Sequence, residues 1–229
     1  MPFAAVIFDF YGTLTPSTPE RVWRQLTERT AAPLGLPAGA WRQALDDSFT
    51  ERATGALGDL PATFRELARR LGAEPSDQAL AAAVAARRAG QRDLLAFRPD
   101  ALDVLARVRE RGLRVGVLSD CTIELAENWD DLPVAGLVDA RVLSCEQGTK
   151  KPDPVLFRLI AGKLGVDQPQ CLYVGDGGSR ELTGATGCGM HAVMLRGADW
   201  YGNVAHGRED DWAGPAVPTL TAVLSLLGD

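Results

Sequence analysis

Residues 4–8, Ala-Ala-Val-Ile-Phe, are a short apolar run that stops on Asp9 and gives way to Phe-Tyr-Gly-Thr-Leu-Thr. A run of this length, β-rich and followed by glycine, predicts a buried strand. The period then changes. From about residue 16 to 95, apolar residues recur at helical spacing. Thr18 is the predicted N-cap of the first helix, with Pro19 at its first position. Trp41, Ala44, Leu45, Ser48 and Phe49 share one helical face; Leu60, Phe64, Leu67 and Leu71 share another, closed by Gly72. Ser76 is placed to cap a fourth helix carrying Leu80, Ala83 and Val84. Four amphipathic helices joined by short loops predict a small bundle.

Beyond residue 95 the two periods alternate. Helices are predicted over 99–112, 122–128, 153–165, 180–189 and 219–227, and strands over 113–120, 140–144, 170–176 and 190–195. Such alternation predicts an α/β fold with a doubly wound parallel sheet. The stretches 4–8 and 172–175 are apolar throughout, which suits the sheet's buried centre. The predicted organisation is an α/β core of residues 1–15 and 96–229. The α-helical bundle of 16–95 is inserted after the first strand. The segment 197–218, rich in glycine and aspartate, is predicted to be a surface loop.

Composition removes several function classes. The 229 residues carry a net charge of −6, which argues against nucleic acid as a partner. No apolar run approaches the roughly 18 residues of a membrane span. No basic region precedes the first apolar run, so no export signal is expected and a cytoplasmic location is. Cys121, Cys145, Cys171 and Cys188 form no CxxC pair and are expected to be free thiols. His191 and His206 lack zinc-ligand spacing.

In an open parallel sheet, ligands bind beyond the carboxyl ends of the strands. Four predicted strand ends carry or lead to polar residues suited to one chemistry: Asp9 with Tyr11 and Thr13, Ser119 with Asp120, Lys150 with Lys151, and Asp176 with Glu181. These residues also have second readings: Asp9 as a turn or cap residue, Thr13 and Ser119 as capping hydroxyls, and Lys150 as a solvated neighbour of Lys151. Asp120 is a candidate substrate contact or the cap of the helix at 122–128. Glu181 is a candidate site residue or a first-turn residue stabilised by the helix dipole.

The four segments resemble the motifs of the haloacid dehalogenase superfamily, whose members are mostly phosphatases. "DFYGTLT" is similar to its first motif, "VLSD" to the second, "KKPDPVLF" to the third and "YVGDGGSRELTGATGCGM" to the fourth. They occur in the family's order, and the inserted bundle resembles its small α-helical cap. The resemblance implies a Rossmann-like core and a small-molecule, phosphorylated substrate, with a monomer or homodimer expected. It makes Asp9 the nucleophile and Thr13 and Ser119 the phosphoryl-oxygen donors. Lys151 becomes the neutralising cation. Asp9, the main-chain carbonyl of Tyr11, Asp176 and Glu181 become the Mg²⁺ ligands, Glu181 directly or through water. An all-oxygen donor set suits that ion.

Tyr11 departs from the phosphatase pattern, which has a second aspartate there to protonate the leaving oxygen. The superfamily's dehalogenases resemble this chain at that position, and halide leaves without a proton. "WRQ" at 41–43 is similar to a dehalogenase cap segment and makes Arg42 a candidate substrate contact. The fourth motif points the other way. Dehalogenases carry no acid at the place of Asp176 and work without metal. Asp176 beside Asp9 would be an unbalanced anion in a metal-free site. A Mg²⁺-dependent phosphatase is therefore the first reading, a metal-independent 2-haloacid dehalogenase the second and a catalytically degenerate binding module the third. Phosphonate cleavage through a cap lysine is excluded, because residues 16–95 contain no lysine.

Overall fold

The structure, a computed structural model, describes residues 3–199 and 207–228. Six parallel strands form one sheet: β1 (Ala5–Phe8), β2 (Arg114–Ser119), β3 (Ala140–Leu143), β4 (Cys171–Gly175), β5 (His191–Leu195) and β6 (Ala216–Val217). Their order is β3-β2-β1-β4-β5-β6. β1 lies between β2 and β4, with Phe8 level with Val117 on one side and Val174 on the other. That register brings Asp9, Ser119 and Asp176 to the same end of three adjacent strands.

The period of two along β1 separates two cores. Val6 and Phe8 pack with Val104, Leu105 and Val108 of α6 (Ala101–Glu110). Ala5 and Ile7 pack with Leu156, Phe157 and Ile160 of α8 (Pro154–Leu164) and Leu182 of α9 (Glu181–Gly187). Helices on both faces of a parallel sheet make this an α/β Rossmann-like fold.

Residues 20–94 fold around a third core. The helices are α1 (Glu20–Ala31), α2 (Ala38–Asp47), α3 (Phe49–Ala53), α4 (Leu60–Arg70) and α5 (Asp77–Leu94). Trp41, Leu45, Leu60, Phe64, Leu67, Leu80 and Val84 are its buried members. The Trp41 indole N–H donates to the Thr30 hydroxyl at 2.9 Å, so the ring is buried without an orphaned polar atom.

Several boundaries differ from expectation. The first helix starts at Glu20 with Pro19, not Thr18, as N-cap. The stripe from Trp41 to Phe49 is broken at Ser48, giving five helices in place of four, and Phe49 is only half-buried. Ser76 caps as predicted, accepting from the Ala79 N–H at 3.2 Å. The final helix is a single α-turn, α10 (Leu220–Val223), continued by a 3₁₀ turn. Strand β6 was not predicted; two residues carry no periodicity. Of the predicted loop 197–218, residues 200–206 lie outside the described residues, His206 among them. Among the described residues no helix is long and apolar enough to cross a membrane.

Candidate active site

Asp9 follows the last residue of β1, and its N–H donates to the Val174 carbonyl at 2.9 Å. The chain then turns sharply through Tyr11 and Gly12. Gly12 has φ +82°, and a Cβ there would overlap the Asp176 carboxylate. Gly12→Ala is therefore expected to lower stability by about 2 kcal/mol or more. An unchanged urea midpoint would show that the turn does not pass this close to Asp176.

Arg98 holds the turn from behind. Its Nε donates to the Thr13 carbonyl at 2.8 Å and its Nη2 to the Gly12 carbonyl at 2.8 Å. Its Nη1 meets Asp199 at 2.7 Å, and Asp199 also accepts the Ser17 N–H at 2.9 Å. One arginine thus ties the Asp9 loop to both crossings between the sheet and the helical segment.

The carboxylates of Asp9, Asp176 and Glu181 offer oxygens within 4.8 Å of one another, and all three residues are buried. Lys151 enters from the loop after β3. Its Nζ donates to Asp9 Oδ1 at 2.6 Å, to Glu181 Oε2 at 2.5 Å and to the Tyr173 hydroxyl at 3.2 Å. Glu181 also accepts the Tyr173 O–H at 2.7 Å and, through Oε1, the Gly177 N–H at 2.9 Å. Burial raises the Asp9 carboxyl, Lys151 pulls it back and Asp176 adds to the rise, leaving it at about 6. Burial pushes Glu181 up to about 8 against the pull of Lys151. Burial would lower the Lys151 ammonium, but Asp9 and Glu181 outweigh it and hold it well above the ordinary lysine value.

Thr13 and Ser119 are fully buried, and neither Oγ meets a partner among the described residues. A buried hydroxyl without a partner is costly; Thr13 lies on Asp9's loop and Ser119 ends the neighbouring strand. The loop after Asp176 is strained, with Ser179 and Arg180 both left-handed at φ +53° and +52°.

Over all but its final stretch, residues 3–189, the chain matches the haloacid dehalogenase-like hydrolase family. It belongs to that family. The glyceraldehyde 3-phosphate phosphatase of Methanopyrus kandleri is 31% identical over 84% of this chain and 83% of its own length. The phosphoglycolate phosphatase of Rhodospirillum rubrum is 30% identical over 83% of this chain and 78% of its own. The L-2-haloacid dehalogenase of Xanthobacter autotrophicus superposes with a TM-score of 0.65 at 25% identity, covering 98% of both chains. The chain is a hydrolase with phosphatase relatives and a dehalogenase-like fold.

In this hydrolase the side chains of Asp9, Lys151, Asp176 and Glu181 meet in one buried cluster, while Thr13 lies on the loop after Asp9 and Ser119 ends the adjacent strand β2. Tyr11 points to the helical segment, where its hydroxyl accepts from Gln91 Nε2 at 3.1 Å. Burial, with Cys121 and Glu124 nearby, holds the phenol far above its ordinary pKa. It is a neutral O–H and not a base. Asp120 does not cap the following helix, α7 (Ile123–Asn128), whose N-cap is Thr122. Its Oδ1 accepts the Lys151 N–H at 2.9 Å, because the β3–α8 loop folds back over the end of β2. Arg42 is not brought to the cluster. It pairs with Glu20 at 3.3 Å and Asp46 at 2.7 Å and lies over the Trp23 ring, satisfied within the helical bundle.

Sequence reading missed Tyr173, Arg98 and Arg208. Tyr173 reads as one more apolar strand residue, and only the fold turns its hydroxyl to Lys151. Arg208 lies outside every motif, yet its Nη2 is 3.3 Å from Asp176 Oδ2. The expectation that Asp176 would be an unbalanced anion without a metal is therefore corrected: an arginine already faces it.

Proposed function

We propose that this hydrolase is a Mg²⁺-dependent phosphatase of small phosphorylated molecules, with Asp9 as nucleophile. The observation that carries the reading is the pair of buried, unpartnered hydroxyls of Thr13 and Ser119 beside an Asp9 carboxylate that Lys151 partly neutralises. Asp9 attacks phosphorus, the bond to the leaving oxygen breaks, and an aspartyl phosphate forms that water then hydrolyses. Thr13 and Ser119 donate to the phosphoryl oxygens, and Lys151 offsets their charge. The all-oxygen set of Asp9, Asp176 and the Tyr11 carbonyl fits a hard divalent cation. When bound, Mg²⁺ would supply charge neutralisation between nucleophile and phosphate. Three hydrogen bonds occupy Glu181, which favours a role through Lys151 over direct ligation.

The helical residues 16–95 act as a cap on the core of 1–15 and 96–229. Arg87 of the cap pairs with Glu124 of the core at 2.8 Å, both buried, and Gln91 reaches Tyr11. Four unpaired thiols fit a cytoplasmic setting.

Tyr11 sets the substrate preference. A phenol held far above its ordinary pKa by burial is a poor proton donor to the leaving oxygen and cannot activate water. Aryl and acyl phosphates, whose leaving groups need little protonation, are expected to turn over at least about tenfold faster than alkyl phosphates. Equal rates across aryl and alkyl leaving groups would remove the basis for this.

Two observations favour the metal-independent dehalogenase as second reading: Tyr11 at the acid's place and Arg208 on Asp176. Assays of p-nitrophenyl phosphate and L-2-chloropropionate side by side, with Mg²⁺ and with chelator, separate the two. Phosphate release that requires Mg²⁺ supports the first. Chloride release with chelator present supports the second. Neither, from folded protein, would leave the binding-module reading.

A further inference from the structure

We propose that Arg208 is a resident counter-cation of Asp176 and competes with the divalent ion for that carboxylate. The inference rests on the metal-dependent reading above and adds the residue that sets its affinity. The Arg208 side chain is 1% exposed, and its Nη2 lies 3.3 Å from Asp176 Oδ2. A guanidinium stays charged at any working pH, so a buried one needs an anion.

The arginine is held there by a built strap. The Ser179 N–H donates to the Gly207 carbonyl at 3.1 Å, and the Glu209 N–H to the Gly177 carbonyl at 2.9 Å. Gly178 and Arg208 form an antiparallel bridge. Glu209, fully buried, accepts the Leu182 N–H at 2.7 Å, the Thr183 N–H at 3.0 Å and the Thr183 hydroxyl. These bonds fix residues 207–209 along the loop that carries Asp176, so Arg208 is aimed at the carboxylate by its neighbours' backbone.

Charge explains what this accomplishes. Asp9, Asp176 and Glu181 are three acids in one pocket, and Lys151 reaches only Asp9 and Glu181. Arg208 covers the third. A divalent ion seated on Asp176 would face that guanidinium at close range and must displace it or share the oxygens with it. Arginine in this place weakens metal binding and keeps the metal-free pocket assembled.

The test is Mn²⁺ binding to the full chain by calorimetry, independent of turnover. Arg208→Gln is expected to bind Mn²⁺ at least tenfold more tightly than the wild type, and to melt at lower temperature without metal. Arg208→Lys, which keeps the charge, should stay within threefold of the wild type. A purely structural arginine predicts the reverse order, with R208Q binding more weakly. Equal Mn²⁺ affinity in the wild type and R208Q would overturn the inference and leave the metal-dependent reading standing. Absence of Mn²⁺ binding to every variant would overturn both. Amide exchange in the wild type covers the case of a variant that does not fold. Exchange in peptides spanning 207–211 should rise at least threefold at saturating Mn²⁺, and no change or a fall counts against the proposal.

Discussion

Asp9→Asn is expected to lower turnover of p-nitrophenyl phosphate by about 10⁴-fold or more while leaving the protein folded. The carboxylate is the proposed nucleophile, and an amide in its place keeps the shape but cannot form the acyl phosphate. The fold should tolerate the change. Asp9 is one of three buried carboxylates, and Lys151 keeps Glu181 as a partner when Asp9 loses its charge. Two unit charges about 4 Å apart at an effective dielectric of 20 repel by roughly 4 kcal/mol, so removing one anion from the cluster relieves strain with Asp176. An unchanged or slightly raised melting temperature with activity at background is the expected combination. Activity within tenfold of the wild type would dismiss Asp9 as nucleophile. A large drop in melting temperature would mean that its ion pair with Lys151 outweighs the repulsion.

The wild-type pH profile carries a related expectation. The Asp9 carboxyl settles at about 6, and only its ionised form attacks. Without metal, any Asp9-dependent reaction should rise with pH through that value. A bound cation favours the ionised carboxylate and would move the rise to lower pH.

How much of this was legible in the chain follows from what each residue depends on. Asp9, Ser119 and Asp176 lie at or just past the ends of apolar strands, and a parallel sheet gathers strand ends whatever its helices do. Lys151 was legible through its motif, since no periodicity predicts where a loop residue will point. The helices of residues 20–94 were legible as periodic faces, but Ser48 interrupts one of them, and a break of one residue leaves the apolar spacing almost unchanged. Arg42 misled because a short match on a helix says nothing about which way it turns, and Glu20 and Asp46 take it elsewhere. Arg208 and Asp199 were illegible for a different reason. Both follow the last motif, and their partners, Asp176 and Arg98, are 32 and 101 residues away in sequence. Contacts of that range are properties of the fold. The argument that a metal must balance Asp176 failed for want of one such contact.

Lys151→Met should show the largest loss of stability in the site, and the loss should depend on pH. Lys151 is buried between Asp9 and Glu181, and removing one partner of a buried ion network commonly costs about 3–5 kcal/mol. Methionine fills much of the stem's volume, so the loss reports charge more than packing. Both carboxyls are already raised in the folded protein, Asp9 to about 6 and Glu181 to about 8, and Lys151 is what lowers them from a still higher value. In the variant both rise further. A carboxyl raised on folding binds its proton more tightly in the folded state than in the unfolded one. Stability then falls as pH climbs from the unfolded value of about 4 through the folded one. Lys151 itself, held well above 10.5, stays charged throughout and adds no slope of its own below pH 10.5 in the wild type. Near pH 5 the variant should therefore protonate both acids and lie close to the wild type. By pH 8 the difference should reach the full 3–5 kcal/mol or so. Urea unfolding at the two pH values measures it. A pH-independent loss would assign Lys151's contribution to packing, and a loss greater at pH 5 would reverse the charge assignments of the cluster.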